Sequence, residues 1–141
     1  LAPDELERTN FERFERYAKI KATEQKAECF MTDDADIVIV AYGAAARVAK
    51  NAVLAAREQG IRVGIVRPIT LWPFPEDTLK KVSATAKAFL SVELSMGQMI
   101  EDVKLAIDCS RPVYLCNRTG GMVMKPDEVL AKIKEIAGGL K

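Results

Sequence analysis

The 141-residue chain contains no histidine, which removes the commonest general base at neutral pH and, with it, His-bearing triads and metal clusters. Chemistry would have to come from carboxylates, lysines or a cofactor. Arg67 and Glu93 each close an apolar run and could meet as an ion pair at neighbouring strand ends, a structural pair more readily than an acid and a base. Asp33, Asp34 and Asp36 lie close together, but the Gly and the distal Glu of a calcium loop are missing, which favours a solvated turn. The three cysteines, Cys29, Cys109 and Cys116, are odd in number and form no Cys-x-x-Cys pair that could nucleate a zinc or iron-sulfur site. Tyr42-Gly43-Ala44 has the outline of a phosphate turn. Neither Gly-x-Gly-x-x-Gly nor Gly-x-x-x-x-Gly-Lys-Ser/Thr follows, so nucleotide binding is not expected. Arg118-Thr119-Gly120-Gly121-Met122 is either an anion-binding loop or a connection that packs on a neighbouring chain, with the second favoured.

These residues need elements to hold them, and the clearest are in the stretch from Asp36 to Gly60. Ile37 to Tyr42 is an unbroken apolar run rich in β-branched residues, the pattern of a strand buried on both faces. Gly43 breaks it. From Ala44 to Gln59 the period changes: Ala45, Val48, Ala49, Ala52, Val53 and Ala56 form one face of a helix, and Gly60 suits its left-handed stop. Ile61 to Val66 follows as a second strand, so the unit is βαβ and its strands should be parallel. The remaining chain continues the alternation: a helix from Glu76 to Thr85 opened by Pro75, a strand from Ala88 to Glu93, a helix capped by Ser95, a strand from Pro112 to Cys116, and a helix from Pro126 ended by Gly138-Gly139. That pattern predicts an α/β fold, a three-layer α/β/α sandwich over a mostly parallel sheet.

Upstream, Asp4 to Lys26 reads as one long charged helix with a narrow stripe of Phe11, Phe14, Tyr17 and Ala18, a solvated connector or, alternatively, a helix that docks through its aromatics. Ala27 to Met31 is a possible edge strand. The expected division is a helical connector with this strand over residues 1–30 and an α/β domain over 31–141. Between the second strand and the next helix, Arg67 to Pro75 holds three prolines that forbid a helix, while Ile69, Leu71, Trp72 and Phe74 are costly to leave in water. At least part of the Trp72 and Phe74 pair, with Met99 or Met122 nearby, is expected on a surface that meets another domain or subunit.

Composition excludes other classes. With 21 Lys and Arg against 20 Asp and Glu the net charge is +1, too weak a field to favour nucleic acid or an acidic membrane. A 49% hydrophobic content can supply a core. No apolar stretch of about 18 residues could span a bilayer, and the unpaired cysteines fit a reduced, cytoplasmic setting. The start at Leu1 in a polar run reads as a fragment or processed piece.

In order along the chain, Ala41-Tyr42-Gly43, Arg67-Pro68-Ile69-Thr70-Leu71-Trp72-Pro73-Phe74-Pro75, Ser95-Met96-Gly97-Gln98-Met99 and Arg118-Thr119-Gly120-Gly121 resemble the C-terminal part of the α subunit of 2-oxoacid:ferredoxin oxidoreductases. The resemblance runs from about Asp4 to Gly138 and rests on the proline-rich stretch and the Gly-Gln-Met that follows it. It implies a domain similar to the transketolase C-terminal domain, with five strands of which the first is antiparallel, giving Ala27 to Met31 its place. It also implies a complex that uses thiamine diphosphate, Mg and iron-sulfur clusters to convert a 2-oxoacid, such as 2-oxoisovalerate, 2-oxoglutarate or pyruvate, to an acyl-CoA while reducing ferredoxin. By the same resemblance those groups belong to other domains or to a thiamine-binding β subunit. No catalytic, cofactor or metal residue carries over to this chain, and the partners implied are an upstream domain, the β subunit, ferredoxin and CoA. Tyr42, Gly43, Arg67, Pro68, Trp72, Pro73, Phe74, Gly97, Gln98, Met99, Gly120 and Gly121 are the positions expected to determine fold or interface. The competing expectation is a free-standing ligand-sensing or interaction module of flavodoxin-like shape.

Overall fold

The computed structural model describes residues 2–140. Its elements are α1 (Pro3–Thr23), β1 (Ala27–Phe30), β2 (Ile37–Val40), α2 (Gly43–Glu58), β3 (Val63–Pro68), α3 (Glu76–Ser83), β4 (Ala88–Glu93), α4 (Gln98–Ala106), β5 (Val113–Asn117) and α5 (Pro126–Gly139). The five strands form one sheet in the order β1-β3-β2-β4-β5. β1 runs antiparallel to β3, and the other three pairings are parallel. The mostly parallel sheet with one antiparallel edge strand is thus the observed one.

Alternation along β2 sorts the core into two layers. Ile37 and Ile39 face Val53, Val129 and Ile133 of α2 and α5, whereas Val38 and Val40 face Leu79, Val82, Met99 and Val103 of α3 and α4. Ala45, Ala46, Ala49, Ala52 and Ala56 are all buried, and these small side chains let the α2 axis lie close to the sheet. At the lower end of the sheet the Asp36 carboxylate joins two neighbouring segments, pairing with Arg62 at 2.8 Å and with Lys87 at 3.1 Å. Hydrogen bonding from Arg62 first, then from Lys87, holds its carboxyl below the usual range. Asp34 is held down in the same way by Arg57. Asp34 and Asp36 of the acidic cluster are therefore divided among three basic partners, Arg57, Arg62 and Lys87.

α1 lies outside both layers and buries no residue. It stops at Thr23, short of the expected Lys26, because Lys26 already belongs to the loop network: its carbonyl accepts from the backbone of Ile69 and Thr70, and its amide donates to Thr70 Oγ1. Gln25 turns instead to α3, accepting from the Asp77 amide and donating to the Asp77 carboxylate. Pro75 sits just before α3, which ends at Ser83 rather than Thr85. The Trp72–Pro73 peptide is cis. α5 includes Gly138 and Gly139 rather than stopping before them.

Two glycines are structural for different reasons. Gly43 has φ +58° with open space where a Cβ would stand, so its need is conformational. Gly64 is steric: a Cβ there would lie 2.3 Å from the Met31 carbonyl oxygen, because the turn after β1 crosses directly over β3. Gly43→Ala is expected to cost on the order of 1 kcal/mol, and Gly64→Ala about 1–3 kcal/mol as backbone must move. Urea unfolding of both variants checks the order; equal midpoints for wild type and Gly64→Ala would remove the crossing as a constraint.

Candidate functional site

The carboxyl ends of β2, β3, β4 and β5 share one edge, and in open α/β sheets that edge is where ligands and partners meet the fold. From β2 the chain moves through α2 to β3 on one side, then through α3 to β4 on the other. The two departures leave a crevice between β2 and β4, lined by Tyr42, Gly43, Ala44 and Ala45 on one wall and Val92, Glu93 and Leu94 on the other. At about 110 Å³ it is smaller than the roughly 300 Å³ at which ligand pockets begin.

Glu93 is its organising residue. The side chain is 1% exposed, and four donors converge on its two oxygens. Ser91 Oγ donates to Oε1 at 2.9 Å and Ser95 Oγ to Oε2 at 2.6 Å. The amides of Met99 and Ile100, in the first turn of α4, donate to Oε2 at 3.0 Å and to Oε1 at 3.2 Å. A carboxylate from the end of a strand therefore caps the following helix, satisfying orphan amides and opposing the positive end of its dipole. The residue at the cap position, Gly97, is left-handed at φ 102° and has no side chain to do this. Ser95, expected to cap α4 itself, instead serves Glu93. Asn117 Nδ2 closes the assembly by donating to the Ser95 carbonyl at 2.7 Å. One turn further along α4, partial burial first, then the charges of Glu93, Glu101 and Glu76, raise the Asp102 carboxyl above its usual range.

The expected pairing of Arg67 with Glu93 does not form. β2 lies between β3 and β4, and Arg67 instead binds Glu28 across the antiparallel β1–β3 pair at 2.6 Å. Hydrogen bonding to Arg67 lowers the Glu28 carboxyl. Of the aromatic pair, Trp72 is 54% exposed and meets Tyr17 of α1 edge-on, with ring centroids 5.3 Å apart. Phe74 is buried beside Leu79 and Phe89 in the layer under α3 and α4, and so is Met99. Neither belongs to a surface, so the expectation is withdrawn for Phe74 and Met99; Trp72 and Met122 are exposed. Pro68 and Pro73 are buried too, while Tyr42, Gly43, Gln98, Gly120 and Gly121 are exposed along the edge, and Gly97 is half-buried.

Exposed apolar side chains gather at two places. Leu94, Met96, Met122 and Val123 stand on the loops that follow β4 and β5, and Leu6, Phe11, Phe14 and Tyr17 run along α1. Among the described residues no group of three or more His, Cys, Asp or Glu side chains could hold a metal ion. The burial that pushes the Cys116 thiol up makes it a poorer thiolate ligand. Together with the small crevice, this donor set does not fit thiamine diphosphate with its metal or an iron-sulfur cluster.

Residues 35–129 match the family described as pyruvate:ferredoxin oxidoreductase core domain II. The chain belongs to this family. It is 50% identical over 135 residues to the ketoisovalerate oxidoreductase subunit VorB of Methanothermobacter thermautotrophicus, covering 96% of this chain and 38% of that subunit. The chain thus spans about two fifths of that curated relative's length. As a fold, the core domain II is similar to part of a 2-oxoglutarate:ferredoxin oxidoreductase from Magnetococcus marinus solved with 2-oxoglutarate, coenzyme A and succinyl-CoA bound. The TM-score is 0.80 at 21% identity, over 95% of this chain and 23% of that one. It is also similar to a split-gene transketolase described as an inactive β4 tetramer, with TM-score 0.65, 17% identity, and coverage of 78% and 40%. The transketolase C-terminal-like fold is therefore that of the core domain II described here.

The sequence did not single out Glu93 as a cap. Its only signal was a carboxylate at the end of an apolar strand with Ser at positions 91 and 95. Glu93→Ala should leave two amides and two hydroxyls without their acceptor, at a cost on the order of 3 kcal/mol or more. Glu93→Gln should cost less, since one oxygen still accepts while the new N–H groups oppose an amide. Hydrogen exchange at residues 95–100 together with urea melts checks this; an unchanged midpoint for Glu93→Ala would show that the cap carries no stability.

Proposed function

We propose that this chain is core domain II of a 2-oxoacid:ferredoxin oxidoreductase subunit, in a complex that oxidatively decarboxylates 2-oxoisovalerate to its acyl-CoA and reduces ferredoxin. The single observation that carries this reading is 50% identity, over nearly all of the chain, to a subunit named for ketoisovalerate. A free-standing flavodoxin-like module is not favoured, because the matched family is a core domain of an oxidoreductase.

Within the complex the domain's part is structural. Thiamine diphosphate, Mg and iron-sulfur clusters are assigned to the rest of the assembly, where they would supply decarboxylation and electron transfer. The chain's own residues form surfaces. A helix with no buried residue, showing Phe11 and Phe14 each 68% exposed, is stable in an assembly when those rings are covered. We assign this face, continued by Trp72, to the remainder of the same subunit, and the edge bearing Tyr42, Gln98, Gly120 and Gly121, with Met96 and Met122 beside them, to a thiamine-binding partner subunit. Residues 1–30 then act as connector and residues 31–141 as the α/β domain, with β1 bridging the two. Among the described residues no helix is long and apolar enough to cross a membrane, and we place the complex in the cytoplasm.

The assembled enzyme should reduce ferredoxin or a viologen dye with 2-oxoisovalerate and CoA at a kcat/KM at least about tenfold above that with 2-oxoglutarate or pyruvate, a difference of about 1.4 kcal/mol. A reversed order would sink the substrate assignment and leave the family unaffected. Trp72→Ala should weaken assembly about tenfold or more while leaving the domain's melting temperature little changed. Unfolding of the domain on that substitution would make Trp72 a core residue instead.

A further inference from the structure

Beside the crevice, between the N-terminal half of α2 and the β1–β3 edge, lies a second and larger concavity of about 510 Å³, within the size range of small-molecule sites. Its floor is apolar: Ile65 and Ala46 are buried, and Phe30 is partly so. Its charged lining is Arg47, Lys50, Arg67 and Glu28. Glu28 and Arg67 neutralise each other at 2.6 Å. Arg47 and Lys50 have no carboxylate partner among the described residues; the Lys50 ammonium rests 4.5 Å from the centre of the Phe30 ring. Three cations less one carboxylate leave this groove at +2, while the whole chain carries only +1. The charge is therefore concentrated here against the average of the molecule.

We propose that this groove binds a small molecule that carries a phosphate group on an apolar body. A phosphate monoester bears about two negative charges near neutral pH, which matches the two uncommitted cations, and guanidinium is the side chain suited to its oxygens. The apolar floor of Phe30, Ile65 and Ala46 receives the body of the ligand. The first turn of α2 forms the upper wall and adds to the same field: it holds no acidic residue, and Tyr42 gives it no side-chain cap. Gly43, in that wall, has nothing within 4 Å of where its Cβ would be, so ligand atoms can reach the backbone there. Glu28, through its pairing, holds Arg67 at the edge of the groove and sets the limit on how much negative charge can enter.

The groove goes beyond the proposed activity, and its test needs no turnover. The assembled full-length protein is titrated calorimetrically with inorganic pyrophosphate, at low and at physiological salt, alongside the variant Arg47→Ala/Lys50→Ala and the control Lys81→Ala on the opposite face of the sheet. Expected is saturable binding that weakens with salt, is reduced about tenfold or more in the double variant, and is unchanged in the control. The amide resonances of Gly43 and Ala44 should shift on binding. Equal affinity in wild type and double variant, or no saturation with wild type, overturns the proposal. A hexaglutamate peptide serves as the second arm: if it binds through Arg47 and Lys50 while pyrophosphate does not, the groove takes an acidic protein segment and the small-molecule assignment falls.

Discussion

A strand whose every side chain is withdrawn from water must be covered on both faces. β2 is such a strand, with Ile37, Val38, Ile39 and Val40 all at 0–1% exposure, and its alternation forces the two core layers apart to opposite sides. The covering elements are then constrained in kind. On one side α2 approaches through alanines, which bring its axis near the sheet, and α5 packs alongside it; on the other, α3 and α4 present Leu79, Val82, Met99 and Val103. Because β2 feeds β3 on one side and stands next to β4 on the other, its carboxyl end becomes the point where chain segments diverge. The crevice between Tyr42 and Glu93 follows from that divergence.

Much of this was legible in the residues. The run from Ile37, the period change after Gly43 and the stop at Gly60 read as βαβ without ambiguity, since apolar periodicity and left-handed glycine are local properties; Gly60 indeed has φ +77°. What was not legible depends on lateral order. Arg67 and Glu93 both end strands, but a one-dimensional string does not say which strand separates them. β2 does, and each residue takes a different partner. The antiparallel register that sets Glu28 opposite Arg67 is equally non-local. So is the crossing of Met31 over Gly64, which makes a glycine obligatory in a strand where none of its sequence neighbours signals a bulge.

The candidate site was legible in outline. Glycines and polar residues at the strand ends do share one edge of the sheet, yet Phe74 and Met99 resembled surface anchors only because a proline-stiffened loop gave no clue that Phe74 folds inward. Trp72, two residues away, remains outside against Tyr17. Arg47 and Lys50 read as the solvent face of an amphipathic helix, which they are. Their convergence with Phe30 over a shared hollow appears only when β1 is laid against β3. Glu93 likewise read as a strand-end acid, although its work is to tie the loop of residues 94–98 and the helix after it into one rigid corner.

α1 behaves mechanically as a lever. Its 21 residues extend roughly 31 Å at 1.5 Å per residue, and it joins the sheet through Glu24, Gln25 and Lys26, a joint pinned to Asp77 and Thr70. The lateral brace where Tyr17 meets Trp72 lies only about 9 Å from that joint. Leverage therefore works against precision: a slip of about 1 Å at the brace becomes about 3 Å at Pro3. The edge contact of Tyr17 with Trp72 thus bears on the aim of the whole rod, whose far end inherits the angular tolerance of two rings.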